Sequence, residues 1–441
     1  MLGCLGMGQA TRAALAGSPL GAAIAAAEAE READDRSTGY RLAIISGGYD
    51  ALLLRVHLIR QAKASVSIQT FIWTNDECGR LLIYELIEAA RRGVKVRILA
   101  THMVSEQDPG AMAFLATAHP NLKVKHYRPA AGHLKPSLGR KLFAGALAFR
   151  DTNQRMHNKV FLVDDAVLVT GGRNIENTHF DHSTTMNFRD RDVLAVGPVV
   201  RAAVESFEEF WRFRGAVASR ALKDVGGVIE AGKFRRYETK ADYDFGPHFA
   251  TLTREADDAG VVTERFVARL KPVRAVTFVC DEPGKSVARA DGEMPRSTRA
   301  LRTALEEAKT SIVMQSPFLV LSKPARALIR EMHVKNPELR MQISTNSFAS
   351  TENLFAYSAN YRLRTDYVEE LRLEVHEFKP LPGSLLTLFP RHAEMTAVAT
   401  ALAKPGKTAR PPFLCVHAKS LVVDGRLAFV GSYNLVRARR I

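Results

Sequence analysis

Met156-His157-Asn158-Lys159, four residues, Asp164 and then Gly171-Gly172-Arg173-Asn174 make up a pattern that returns near the other end of the chain. There it reads Val416-His417-Ala418-Lys419, four residues, Asp424 and Gly431-Ser432-Tyr433-Asn434. Counted from each histidine, lysine falls at +2, aspartate at +7, the first glycine at +14 and asparagine at +17, in both copies. The residues between are apolar and β-branched, at 160–163 with 167–169 and at 421–423 with 427–430. Each copy therefore predicts a β-hairpin, with His and Lys on one face of its first strand because that face repeats every two residues. The Gly-Gly and Gly-Ser steps leave room for backbone to approach an anion at the end of the second strand. A single His-x-Lys on a strand is ordinarily a surface pair; the same residues at the same offsets twice are a site.

Working outward, the pattern upstream of each motif also repeats. A strand at 66–73, a helix at 80–92, a strand at 94–101, a helix at 111–118 and a strand at 122–127 precede the first. A helix at 299–308, a strand at 311–319, a helix at 324–334, a strand at 340–345, a helix at 352–371 and a strand at 373–378 precede the second. Two copies of one plan predict a duplicated α/β fold, each lobe a mixed β-sheet flanked by helices. The lobes are expected at 39–214 and 296–441, with a helical or frayed lead-in at 1–38. A charged, less periodic connector with its own helix is expected at 215–295, and the proline-rich stretch 379–412 reads as loop.

The chain has 441 residues, 46% hydrophobic and 25% charged, which excludes a disordered or collagenous protein and gives material for more than one core. Its formal charge of +15 points to an anionic partner, nucleic acid or an acidic membrane surface, without choosing between them. Four separated cysteines imply neither a disulfide framework nor a zinc site. The uncharged run 13–27 contains Pro19 and is shorter than the ~20 apolar residues that a spanning helix needs. Met-Leu-Gly-Cys at the start resembles the end of a lipoprotein signal but lacks the basic and apolar regions before it. Either the true start lies upstream, in a lipoprotein or exported form, or Cys4 is a small apolar residue, the latter being the favoured reading.

By these two motifs the chain is identified as resembling the phospholipase D superfamily, from about Gly39 to the end. Within it the likeness is to bacterial cardiolipin synthases of the C type. That likeness rests on Phe71-Ile72-Trp73, on Arg155 to Lys159 with Gly-Gly-Arg-Asn-Ile, on Asp192 to Pro198, and on Ser316-Pro317-Phe318 and Thr345-Asn346-Ser347. The resemblance implies an active site at the pseudo-twofold interface of the lobes, with catalytic residues His157, Lys159, Asp164, His417, Lys419 and Asp424. A phosphodiester is attacked in line, so nucleophile and proton donor must stand on opposite sides of phosphorus; one histidine from each lobe meets that need. His157 is implied as the nucleophile that becomes phosphohistidine and His417 as the acid/base. Lys159, Lys419, Asn174 and Asn434 are implied to hold the phosphate oxygens, and Asp164 and Asp424 to orient or support. No cofactor and no metal is implied; His179-x-x-His182 follows Gly-Gly-Arg-Asn without a complementary cluster.

The implied reaction is cardiolipin synthesis from phosphatidylglycerol and a phospholipid donor, phosphatidylethanolamine being favoured by the C-type likeness. The implied location is the face of a bacterial cytoplasmic membrane, held peripherally on anionic phospholipid, with nucleic acid a weaker partner. Rival readings are hydrolysis of phosphodiesters by water, as a phospholipase or nuclease, and an inactive membrane-surface binder. Phe71, Trp73 and Phe318 are candidates for a lipid channel, with plain core packing as the alternative. After Asn434 the chain reads Leu435 to Ile441, where the family has another strand and a closing helix. The second lobe is therefore expected to be incomplete, with an unpaired sheet edge beside its hairpin.

Overall fold

The computed structural model describes residues 14–33, 39–101, 108–129, 132–135, 156–245, 249–284, 294–404, 406 and 408–433. Asn434, Cys4 and the basic residues 437–440 lie outside them. In chain order the strands of the first half are β1 (Arg41–Ile45), β2 (Ser65–Thr70), β3 (Lys95–Thr101), β4 (Leu122–Tyr127), β5 (Val160–Val163), β6 (Val167–Gly171), β7 (Met186–Arg189), β8 (Asp192–Val196), β9 (Ala216–Ala218) and β10 (Lys271–Pro272). Those of the second are β11 (Ser311–Gln315), β12 (Arg340–Asn346), β13 (Leu373–Phe378), β14 (Phe413–Val416), β15 (Lys419–Val423) and β16 (Leu427–Gly431).

The duplication is visible in the pairing. In the first sheet β6-β5-β2-β3-β4 are neighbours; in the second, β16-β15-β11-β12-β13. In both, the motif hairpin lies antiparallel to the first strand of a three-stranded parallel run. Helices Glu77–Arg91 and Lys323–Lys335 make the first crossover of each run. The first is set by an N-cap: Asp76 accepts from Gly79 N at 2.9 Å, and its buried positions Cys78, Leu82, Leu86 and Ala89 follow the helical period.

Apolar alternation explains the layers. Phe161 and Val163 of β5 join one core with Leu52 and Val56 of helix Gly48–Gln61 and Leu81 and Leu86 of helix Glu77–Arg91. Val160 and Leu162 face the opposite side, with Ala203, Phe207 and Phe210 of helix Val199–Arg212. A strand covered on both faces reads as an unbroken apolar run, which is what 160–163 is. The second sheet is covered on one face by helices Arg296–Glu306 and Lys323–Lys335, through Leu301, Leu305, Ile329 and Met332. On its other face Val313 and Val422 are exposed.

Several expectations change. The stretch 215–295 does more than connect: β9 pairs with β4 at one edge of the nine-stranded sheet and β10 with β1 at the other. Its Tyr243, Phe245, Phe249, Leu252, Val262 and Phe266 are buried in the first core. The proline-rich stretch is not all loop, since it contains helix His392–Ala401. The helix expected at 352–371 ends at Thr365 and closes in a π turn, Asp366–Glu370. The edge strand β16 pairs only with β15 among the described residues, and it lies beside β6 and β8 of the first half.

The +7 aspartates turn out to be architectural. Asp164 and Asp165, like Asp424 and Gly425, have positive φ in the three-residue turns, 164–166 and 424–426, that join the strands of the motif hairpins. The Asp164 carboxylate accepts from the backbone N–H groups of Lys63, Ala64 and Ser65 at 2.7–2.9 Å, anchoring the entry to β2. Asp424 does the same for Lys309, Thr310 and Ser311 at 2.8 Å, at the entry to β11. Those donors hold the Asp424 carboxyl well below the usual carboxylate range. Each aspartate thus locks a hairpin to the strand it pairs with. Asp164→Ala and Asp424→Ala are expected to lower the unfolding midpoint by a few degrees while sulfate affinity at the histidine site stays unchanged. An unchanged midpoint with lost sulfate binding would return them to the catalytic set.

Candidate active site

The two halves meet through a short parallel ribbon, β7 with β14, in which Phe188 is opposite Cys415 and Arg189 opposite Val416. The next residue on one chain is Asp190 and on the other His417. The Arg189 carbonyl accepts from His417 N at 2.8 Å and Ala418 N at 3.0 Å, so the register cannot slip without moving the histidine. Asp190 Oδ2 lies 2.6 Å from His417 Nδ1.

His157 stands just before β5, not within it. The Thr101 hydroxyl donates to the Met156 carbonyl at 2.8 Å, fixing the approach, and the Phe71 ring lies 4.7 Å from the His157 ring. Lys159 and Lys419 are both buried, and each folds back on its own histidine. Lys159 Nζ donates to the His157 carbonyl at 3.1 Å; Lys419 Nζ lies 3.2 and 3.1 Å from the two ring nitrogens of His417. His157 also meets the backbone at Ser432, from the second motif. Thus His157, Lys159, His417 and Lys419 converge. Asn174 faces the buried His179 ring at 3.3 Å, behind His417.

Electrostatics follow from burying four basic groups together. Burial first, then Lys159, Lys419 and His417, push His157 well below the ordinary imidazole value. Burial and Lys419 bring His417 down to about 3. Burial and the Lys419 charge lower Lys159 strongly, and burial lowers Lys419 to about 8. Burial alone would raise Asp190, but His417, a hydrogen bond with His179 and Lys419 reverse this and keep it well below its ordinary value. Asp190 therefore fixes the tautomer of His417, with Nδ1–H donated to the carboxylate, more than it fixes its charge.

Residues that sequence reading passed over stand behind this layer. His179 is fully buried; its Nδ1 is 3.4 Å from Asp190 and its Nε2 3.2 Å from Glu176. Burial would lower its pKa, but the two carboxylates raise it. His182 packs instead against the Phe249 ring at 4.7 Å, so the two histidines of the His-x-x-His pair part company. Among the described residues, His179, Asp190 and His417 are the one group of potential metal donors within 4.8 Å. Lys419 beside His417 already supplies positive charge there, and Asp190 occupies Nδ1. The local sequence signals for this layer are the His179-x-x-His182 pair and acidic Asp190 and Asp192 beside an apolar strand.

The glycine steps also have a different cause from the one expected. A Cβ on Gly171 would stand 2.2 Å from the Arg191 carbonyl oxygen, and one on Gly172 2.1 Å from Asp190 Oδ1. Gly171 admits the backbone at Arg191 and Asp192, and Gly172 the Asp190 carboxylate; Gly431 meets nothing nearer than the Phe429 ring at 3.5 Å.

Comparison with known proteins adds the following. The family model described as "Cardiolipin synthase, PLD-like domain" matches residues 56–211. An uncharacterized protein of Helicobacter pylori strain J99 is 30% identical over 399 residues, 89% of this chain and 72% of that protein. Cardiolipin synthase C of Escherichia coli K12 is 27% identical over 389 residues, 87% of this chain and 76% of that protein. The crystal structure of phosphatidylserine synthase from Haemophilus influenzae superposes with a TM-score of 0.52 at 12% identity, covering 87% of this chain and 76% of the other, which is a likeness of fold.

A site made of two buried lysines should bind anions in a way that depends on their charge. With Lys419 at about 8 and Lys159 also lowered, sulfate affinity is expected to fall as pH rises from 7 to 9.5, by up to about tenfold per unit for each group that loses its proton. Lys419→Arg, whose guanidinium stays charged, should flatten the slope near pH 8. Titration calorimetry reads this directly, since sulfate keeps its own charge over the range; a pH-independent affinity would contradict the assignment.

Proposed function

The chain belongs to the phospholipase D superfamily, and on that premise we propose that it is a phosphatidyltransferase that makes cardiolipin through a covalent phosphohistidine. The observation that carries the reading is the meeting of two His-x-Lys units in one buried site, each from a different half of the chain. The similarity to a cardiolipin synthase C over most of both chains supports lipid over other phosphodiesters. Among the described residues no helix is long and apolar enough to cross a membrane, so the lipid is expected to be met at a membrane surface.

In the proposed cycle the neutral His157 attacks phosphorus, and the bond from phosphorus to the leaving alcohol breaks. His417, which takes up a proton on Nε2 as the anionic phosphodiester binds, gives that proton to the departing oxygen. The terminal hydroxyl of phosphatidylglycerol then enters, His417 takes its proton, and the oxygen displaces His157 to release cardiolipin. Lys159 and Lys419 hold the non-bridging oxygens and offset the charge that builds there. The assignment of roles is supported by Asp190, which orients His417 for proton transfer in the way a carboxylate orients a general base. The leading influences on His157 are burial, cations and the other imidazole, which favour an unprotonated nucleophile. Phosphatidylethanolamine is the proposed donor, phosphatidylglycerol the alternative.

Mass spectrometry of phosphatidylglycerol vesicles incubated with the protein, with and without phosphatidylethanolamine, should reveal cardiolipin that disappears with His157→Ala. Product formed without phosphatidylethanolamine would name phosphatidylglycerol as donor. Phosphatidic acid in place of cardiolipin would point to water as acceptor, and turnover that survives loss of both His157 and His417 would remove the mechanism.

A further inference from the structure

A second cavity lies outside the two-histidine site, between the C-terminal ends of β3 and β4 and the helices Glu77–Arg91 and Pro109–Thr117. Trp73, Ile83, Ala100, Met112, Leu115 and Tyr243 are among its walls, which enclose about 690 Å³ of empty space counted out to its solvent side. Polar groups on its rim bond within the protein, although the buried Arg80 Nε has no hydrogen-bond partner. Arg80 donates to the carbonyls of Asn75 at 2.7 Å and Asp244 at 3.1 Å, and His126 Nε2 lies 3.0 Å from the Ser219 hydroxyl. The lining is otherwise mostly carbon. Protein interiors are otherwise close-packed, and carbon surface left against an empty space forfeits its dispersion contacts. The cavity is shaped for an apolar occupant.

Its place relative to the chemistry says which one. Trp73 is two residues beyond Phe71, whose ring touches His157 at 4.7 Å. Ala100 is followed by Thr101, whose hydroxyl holds the carbonyl of Met156 at 2.8 Å, one residue before the nucleophile. At ~3.8 Å per residue, the Trp73 Cα lies no more than about 7.6 Å from that of Phe71, so the Trp73 wall is separated from the His157 ring by less than the length of an extended acyl chain. In a glycerophospholipid only the glycerol unit separates the phosphate from the start of the acyl chains. We infer that this cavity takes one acyl chain of the phospholipid whose phosphate the two histidines hold. The inference rests on the phosphatidyltransferase reading of the site, and it assigns that site a means of gripping one lipid tail while the headgroup is exchanged.

The test fills the cavity from two half-buried walls, with Ile83→Trp and Met112→Trp made separately. Unchanged sulfate affinity certifies that each variant is folded with its histidine site intact. Parinaric acid, a fluorescent fatty acid, should bind the wild type saturably at one molecule per chain, and each variant at least tenfold more weakly. Turnover should separate by chain length: both variants lose long-chain phosphatidylglycerol as substrate by tenfold or more, and keep dihexanoyl phosphatidylglycerol. Parinaric acid that does not bind, or binds wild type and folded variants alike, overturns the inference, as does equal loss of long and short substrates. If no form of the protein turns over any lipid, the function reading fails, while the parinaric acid result still decides whether the cavity takes an acyl chain.

Discussion

The parallel pairing of β7 with β14 is the constraint on which the site depends. Elsewhere the two halves have their own sheets, their own crossovers and their own cores; here four residues of each run side by side. The ribbon places Asp190, which follows the first hairpin, against His417, which opens the second. Because both backbone N–H groups after β14 donate to the one Arg189 carbonyl, the histidine cannot turn without breaking main-chain hydrogen bonds. Phe188, on the same ribbon, lays its ring 4.9 Å from His417. Arg191 reaches across to the Ser420 hydroxyl on β15. A catalytic pair divided between two halves needs such a fixed joint, since its geometry tolerates errors of only about an ångström.

That joint in turn hangs on a buried ionic layer in the first half. Arg173 donates to the carbonyls of Ile45, Ser46, His179 and Asp190, tying β1 and the loop after β6 to the base of the ribbon. Arg55 reaches Asp192 at 2.9 Å with both side chains almost fully buried. A buried pair of this kind adds little net stability over apolar packing, yet removing one partner costs about 3–5 kcal/mol because the other charge is left alone. The layer's contribution is therefore position more than stability. It also explains why glycine is required at 171 and 172, where side chains would collide with the very residues that carry Asp190.

What the sequence made legible, and what it did not, divides along the range of the interactions. The hairpins, the parallel runs and their crossover helices rest on alternation, helical period and caps, all of them local, and they repeat. Convergence of His157, Lys159, His417 and Lys419 was readable because the spacing recurs. Asp164 and Asp424 recur as faithfully, but for a different reason: both copies need the same hairpin lock. Recurrence alone does not separate chemistry from architecture. His179, Glu176 and Asp190 appear only once, so repetition could not flag them, and their meaning comes from the ribbon, a contact between residues more than two hundred positions apart. The connector was misread for the same reason, since pairing with β1 and β4 at opposite edges of a sheet leaves no local trace in a charged segment.

The concentration of cations explains how two imidazoles can serve in opposite protonation states. Burial and the neighbouring ammoniums keep both rings neutral, which suits a nucleophile but not an acid. A phosphodiester arriving between Lys159 and Lys419 brings one negative charge to the place where their fields are strongest. It offsets the repulsion that lowers the imidazoles, and it does so while excluding water, where each charge weighs more. Of the two rings, His417 alone is described with a carboxylate on its far nitrogen, so the proton is best stabilised there and His157 is left free to attack. In the proposed cycle the anion thus creates the acid that its own cleavage requires. Asp190 decides on which side of phosphorus the acid stands.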